Sequence, residues 1–398
     1  MDMKNKVYYG EYTLQHWIDL MLNGNIVMPK YQRSFVWDEE RAKKMILSLK
    51  KKYFVPPVII GRYNTAAGEQ NLILDGQQRL TSLLLSQLGV FPDKSKFTSS
   101  LKHIMDENDD TADSAGKGIC DWRYDVLLAE GKKKIDDIKA GLDMTKYNTV
   151  NYEVGGSFYT DNFLGFCYLV PSTTDEQPQK NFFSALFRNI NTQGVGLISQ
   201  ESRASLYFLD ETKEGFFMPK YADDIKIKSS KGVIHMDYVR YLAFLSNYKI
   251  VGGVAANVAI NRDKNFEQYY EEYIEAVIGD VDSPVFGKFS EMFPADQLEA
   301  RMNQLEQHIK DLEYDKKTYP SIIDLDVDFF GLIYYVLYEG KELDLTNKVQ
   351  MQGKLQRKTK RFRDDKKHAK TPAGITHIRS RIKDSISIYK DYLKHEEA

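Results

Sequence analysis

Residues 72–85 read LILDGQQRLTSLLL. The segment QNLILD has strand composition and runs into Asp75-Gly76. A leucine-rich stretch follows at once, with Leu80, Leu83, Leu84 and Leu88 spaced for one buried helix face. A strand therefore becomes a helix across a single glycine, which commits this part of the chain to a mixed α and β architecture. Such a joint leaves the first backbone N–H groups of the helix without intrahelical partners. Those groups carry partial positive charge and suit a phosphate. Gly76 lets a ligand come close and allows unusual dihedrals. Arg79 has the fork to grip a phosphate, and the amides of Gln77 and Gln78 can hold oxygens or a base edge. With the leucines pinned to the core, this polar turn is expected to face outward. The plain alternative is a surface strand–helix turn with polar filler. A Walker A loop, GxxxxGK[ST], is absent.

The chain has 398 residues, too many for one ordinary core, so two domains are expected. Its formal net charge of -2 excludes a wholly basic nucleic-acid coat but conceals a segregation. Residues 265–328 hold 16 acidic and 5 basic side chains, whereas residues 348–383 hold 13 basic and 2 acidic. Cys120 and Cys167 cannot build a disulfide framework or a four-cysteine zinc site, which fits a reducing cytoplasm. The segment MDMKNKVYYGEY has no apolar run, and no stretch of about 18 apolar residues occurs. Neither a secretory signal nor a membrane span is expected.

Thr13 to Asn23 reads as a capped helix with Leu14, Trp17, Ile18 and Met21 on one face. A second helix starts at Asp38, with Ala42, Met45, Ile46 and Leu49 as its buried stripe. PPVIIGRYN and QNLILD read as two strands. Residues 92–156 turn polar and read as an insertion or lid, partly mobile, with GKKKIDDIKAGLD as a charged amphipathic piece. FLGFCYLVPS returns to strand composition, and PQKNFFSALFRNI is helical. The second half is mostly helical in pattern. The expected division is an N-terminal domain over 1–215 and a mainly helical domain over 216–398 that carries the basic 348–383 segment.

Three boxes carry a resemblance. LILDGQQRLTSLLL resembles the DGQQR motif of the N-terminal domain of GmrSD-type modification-dependent restriction enzymes. IVMPKYQRSFVWDEERAKKMILSL resembles that family's Pro-x-Tyr-Gln-Arg segment before a Trp. FRNINTQGVGLISQESRASLYF is similar to its third box, with Asn191, Gly194 and Glu201 at the matching positions. The resemblance covers roughly residues 10–210. It implies a ParB/sulfiredoxin-like N-terminal domain; with the helical pattern of the second half, the expected fold class is α+β, that domain followed by a mainly α-helical C-terminal domain. It also implies nucleotide binding, often with NTP hydrolysis, coupled to DNA restriction against phage. Sulfiredoxin chemistry itself needs a cysteine where this turn has Gly76-Gln77-Gln78-Arg79.

On that basis Asp75, Gln77, Gln78 and Arg79 are the expected catalytic residues. Gly76, Thr81, Gln32, Arg33 and Asn191 are expected to hold the nucleotide, an NTP with Mg²⁺ as its companion ion, and no resident protein metal site is expected. Complete enzymes of this type also carry a His-Asn-His nuclease. None of the seven histidines, His16, His103, His235, His308, His368, His377 and His395, stands in such a context. A separate nuclease subunit is the expected partner, beside nucleotide and DNA. The alternative is a non-catalytic DNA-binding or assembly protein that keeps the fold.

Other features stay open at this level. Phe35 and Trp37 suit core anchoring around Gln32 and Arg33. Gly194 suits a helix C-cap as well as a ligand contact. Asp324, Asp326 and Asp328 alternate as they would along one side of a metal-holding strand, but also suit a helix start before FFGLIYYVLY. The basic 348–383 segment suits nucleic-acid phosphates, a solvated helix face, or an internal match to the acidic 265–328 segment.

Overall fold

The computed structural model describes residues 5–29, 32, 34–65, 68–97, 122–131, 133–192, 203, 205–207, 209–229, 232–260 and 266–394. They form two compact units, one running to residue 192 and one starting at residue 203. The chain is of mixed α/β class, with an N-terminal sheet and a helical C-terminal region.

The first unit is built on a four-stranded sheet in the order β1-β6-β2-β3, where β1 is Lys6–Thr13, β2 Val58–Thr65, β3 Gly68–Asp75 and β6 Phe163–Val170. β2 and β3 form an antiparallel hairpin, and β2 runs parallel to β6. Helix α1 (Leu14–Leu22) starts where the Thr13 side chain accepts from His16 N at 3.1 Å. Helix α2 (Glu39–Lys50) starts where Asp38 accepts from Arg41 N at 2.8 Å. Both bury the stripes expected of them. Helix α3 (Gln77–Leu88) leaves β3 across Gly76. Its leucines share one core with Trp17, Phe35, Met45 and Ile73.

The described parts of the 92–156 segment belong to that same core. β4 (Val90–Pro92) pairs with β5 (Tyr147–Thr149), and helix α4 (Ile135–Ala140) lies between them in sequence. Trp122 is fully buried; its indole N–H donates to Tyr147 Oη at 2.9 Å, and its carbonyl accepts from Phe35 N at 2.8 Å. The expected lid therefore does not extend over these residues. A few aromatic anchors in a polar stretch suffice to bind it to the core. Helices α5 (Phe158–Asp161) and α6 (Glu176–Thr192) complete this unit.

The second unit is mainly helical, with a small sheet of β7 (Lys226–Ser229), β8 (Gly232–His235) and β9 (Thr318–Tyr319) in the order β8-β7-β9. Its main helices are α7 (Tyr238–Ile250), α8 (Phe266–Gly279), α9 (Ala295–Asp311), α10 (Ile322–Ile333), α11 (Lys348–Asp364), α12 (Lys366–Lys370) and α13 (Ile375–Lys390). α10 and α13 pack closely at Gly331. A β-carbon there would come within 2.4 Å of Tyr389 and 2.7 Å of Ser385 O. Asp324, Asp326 and Asp328 lie on helix α10, not on a strand. The helical period buries Asp326 completely, while Asp324 and Asp328 stay partly exposed. Asp326 accepts two bonds from Arg240 (2.5 and 2.8 Å), one from Tyr241 Oη (2.6 Å) and one from Arg381 Nε (2.8 Å).

Candidate functional site

Gly76 holds φ +98 and ψ 4, in the left-handed region that a side chain rarely adopts. A β-carbon there would stand 3.0 Å from Val58 Cγ2, 3.1 Å from Val58 Cα and 3.0 Å from Arg79 Nη2. The glycine is thus required twice, by dihedral and by the closeness of β2. It lets β3 end and α3 begin with no intervening loop, so the N-terminus of the helix stands at the end of the sheet.

Arg79 projects back over this turn. Its Nη2 donates to Asp75 Oδ2 at 2.7 Å and to Pro57 O at 3.2 Å. The Arg79 side chain is 12% exposed and that of Asp75 40%. Arg79 Nε is buried without a partner among the described residues, and so is Thr81 Oγ1, two residues further along α3. A guanidinium with one half bound and one half open is a donor set that suits an incoming oxyanion.

The amides sit differently from the outward-facing turn expected of them. Gln77 and Gln78 are only 5% and 9% exposed. Gln78 Oε1 accepts from Val36 N (2.9 Å) and Trp37 N (3.2 Å), and its Nε2 donates to Ser34 O (3.1 Å). Its carboxamide thereby locks the backbone just after the Tyr-Gln-Arg box. Gln32, in that box, donates from Nε2 to Ile73 O, while Val27 pairs with Leu72 alongside β3. So the first two boxes meet through buried amide-to-backbone bonds. Phe35 is a core anchor, and Trp37 packs against the core edge with Arg41 over its ring at 4.9 Å. The Arg33, Gly194 and Glu201 positions, and the Asn191 side chain, lie outside the described residues.

One participant had no motif to flag it. Arg123 donates to Gln32 O and Met28 O, both at 3.3 Å, and so braces the same box from the far side. Its signal was the dense cluster Trp122-Arg123-Tyr124 ending a polar stretch.

In the second unit the basic segment divides in two. Arg363 pairs with Asp324, Lys358 with Asp384 (3.0 Å), Lys354 with Asp391 (3.1 Å) and Arg381 with Asp326. Arg357, Lys360 and Arg361 on α11, and Lys366, Lys367 and Lys370 on α12, are exposed, with no ion pair among the described residues. His368 is buried beside Arg381, its Nε2 2.7 Å from Nη1, and stacks on Phe362. Burial, then the Arg381 charge and His377, push its pKa down to about 4. Burial also raises Asp328 to about 6 despite Lys317 nearby. Among the described residues no group of three or more His, Cys, Asp or Glu is placed to hold a metal.

Residues 14–208 match the family described as GmrSD restriction endonuclease, N-terminal domain. The chain carries a GmrSD-type N-terminal domain. The strand–Gly–helix joint, the Tyr-Gln-Arg box and the start of the second unit at Arg203 all lie inside the matched span. An uncharacterized protein of Methanocaldococcus jannaschii is 23% identical over 266 residues, 55% of this chain and 45% of that protein. The chain therefore spans less than half of that relative's length. No solved structure matches the chain. Among the described residues no helix is long and apolar enough to cross a membrane.

Proposed function

We propose that this GmrSD-type protein is the nucleotide-dependent component of a restriction or phage-defence system that contacts DNA. The observation that carries this is the Gly76 joint. A helix N-terminus, a glycine in the left-handed region and a half-engaged Arg79 converge where a phosphate would sit. The fold resembling ParB and sulfiredoxin belongs to the same proposal. An NTP would bring the phosphoryl group to be transferred. Arg79 and the positive end of α3 neutralise its phosphates, with Thr81 two residues further along the helix. Asp75 is the carboxylate at the joint that suits a Mg²⁺ carried in by the phosphates. Gln78 holds the backbone at Ser34, Val36 and Trp37, and Gln32 is tied to Ile73 O, so these residues are positioned before any ligand arrives. The nuclease activity of the system is assigned to a separate subunit.

A second proposal has an observation of its own. The carboxamide of Gln78 is bonded on both sides to backbone, and that of Gln32 to Ile73 O. Amides so engaged are poorly placed to orient an attacking water, which favours binding without turnover. Incubation with each NTP and Mg²⁺, with and without DNA, decides between them. Phosphate release that Arg79→Ala abolishes supports hydrolysis. Nucleotide affinity without release supports the binding protein, and neither binding nor release sinks both.

A further inference from the structure

Helix α2 ends in a tight reversal. Lys52 N donates to Leu49 O at 3.0 Å and Tyr53 N to Ser48 O at 2.9 Å, with Lys52 at φ +56. That left-handed position ordinarily takes glycine, and the residue after it ordinarily folds an apolar side chain back onto the helix. Here a lysine takes the strained place, and Tyr53 is 64% exposed. Phe54 follows at 85%, the most exposed large hydrophobic side chain among the described residues. Lys50, Lys51 and Lys52 are exposed too, and Lys51 Nζ lies 5.9 Å from the Tyr53 ring.

The loop is nevertheless held at both ends. Lys50 Nζ donates to Glu153 O at 2.6 Å. Pro56 and Pro57 restrict the other end, Pro57 O accepts from Arg79 Nη2, and Val58 lies against Gly76. A stiff stalk thus presents two aromatic rings and flanking ammonium groups to solvent, directly beside the strand–helix joint. Among the described residues nothing in the packing of this unit accounts for Phe54.

We infer that residues 51–54 form a DNA-contacting prong, in which Lys51 and Lys52 meet backbone phosphates and Phe54 enters a base step. This rests on the proposed DNA contact, not on nucleotide binding. An aromatic face stacks on any base, and ammonium groups beside it neutralise phosphates. An apolar protein pocket would take Phe54 but desolvate the lysines around it, so charge complementarity favours nucleic acid. The shared bond between Pro57 and Arg79 puts the prong one hydrogen bond from the proposed nucleotide site.

The test uses the full chain and a short labelled duplex carrying 2-aminopurine. The native protein should raise 2-aminopurine fluorescence on binding, and Phe54→Ala should remove that rise and weaken duplex affinity about tenfold, with the salt slope unchanged. Lys51→Gln with Lys52→Gln should lower that slope by about 2. Lys52→Gly should also weaken DNA binding while melting no lower than the native protein, because glycine suits φ +56. Calorimetry with nucleotide separates the two proposals: Phe54→Ala keeps native nucleotide affinity if the prong acts on DNA alone. The inference is overturned if Phe54→Ala binds duplex as the native protein does, or if native protein binds no duplex. It is equally overturned if the variant changes only self-association in sedimentation.

Discussion

Arg79 Nη2 stands 2.7 Å from Asp75 Oδ2, four residues earlier and across Gly76. The last residue of the strand thereby aims the guanidinium that the first turn of the helix carries. Arg79→Ala should lower nucleotide affinity about ten- to hundredfold, since a charge-assisted contact of roughly 1.5–3 kcal/mol is lost. Arg79→Lys should recover only part, because a point charge lacks the fork. In a metal chelator, Asp75→Asn should instead raise affinity about two- to fivefold by removing a competing, partly exposed carboxylate. Calorimetry beside a thermal melt reads all three. Native nucleotide affinity in a folded Arg79→Ala protein would refute the assignment of the joint.

Gly76→Ala tests the backbone rather than the charge. The new β-carbon meets Val58 Cα, which cannot rotate away, and the dihedral stays unfavourable. We expect a loss of roughly 1–3 kcal/mol from the dihedral alone. A melting temperature equal to that of the native protein would show that β2 and α3 separate more easily than this geometry states.

Gln78→Ala should behave as a structural lesion. It removes the carboxamide's bonds to Val36 N, Trp37 N and Ser34 O, at roughly 0.5–1.5 kcal/mol for each part-buried bond lost. Gln78→Glu keeps the acceptor for the two N–H groups but turns a carboxylate oxygen toward Ser34 O in place of the donor, so it too should melt below the native protein. If both variants melt like the native protein and only turnover falls, Gln78 acts on the nucleotide directly.

These positions show what the sequence made legible. Caps such as Thr13 and Asp38, and the stripe Leu80, Leu83, Leu84 and Leu88, depend on neighbours within one or two turns, so spacing alone reveals them. Gln78 and Gln32 find backbone partners 41 to 44 residues away, which no local pattern encodes. Trp122 was hidden by the polar stretch around it. The alternation of Asp324, Asp326 and Asp328 suited a strand as well as a helix start, and Leu325, Val327, Phe329 and Phe330, buried together on a helix, decide for the second. The charges that hold Asp326 come from Arg240 and Arg381, far off in sequence.

The pH dependence of stability should contain two opposed contributions. His368 has a folded pKa pushed down to about 4 from 6.5, so the unfolded chain binds the proton first. Its contribution is present above pH 6.5 and is lost as pH falls toward 4. Asp328 has a folded pKa raised to about 6 from 3.8. Its contribution is present below pH 3.8 and is lost as pH rises toward 6. Between these limits the two offset each other. His308 and His377, also lowered chiefly by burial, act in the direction of His368. Asp328→Asn should therefore steepen the loss of stability on acidification, and His368→Gln should flatten it. Denaturant midpoints across pH 4–7 check the signs; a steeper acid loss in His368→Gln would contradict them.

The last prediction concerns the exposed half of the basic segment. Arg357, Lys360 and Arg361 share one face of α11 by their i, i+3, i+4 spacing. They have no ion pair among the described residues, whereas Lys354, Lys358 and Arg363 on the same helix are each matched to an aspartate. Ammonium and guanidinium groups held by internal carboxylates release few counterions when DNA arrives. Unmatched ones release about 0.9 ion per phosphate contacted. Changing Arg357, Lys360 and Arg361 to Gln should therefore lower the slope of log affinity against log salt by roughly 2–3 and leave the melt unchanged. Changing Lys358 and Arg363 to Gln should do the reverse, lowering the melt while leaving the slope close to native. The two triads of side chains are neighbours on one helix, so a general loss of basic charge cannot mimic the split. Equal salt slopes in both variants would show that α11 serves the packing of its own unit and does not touch DNA.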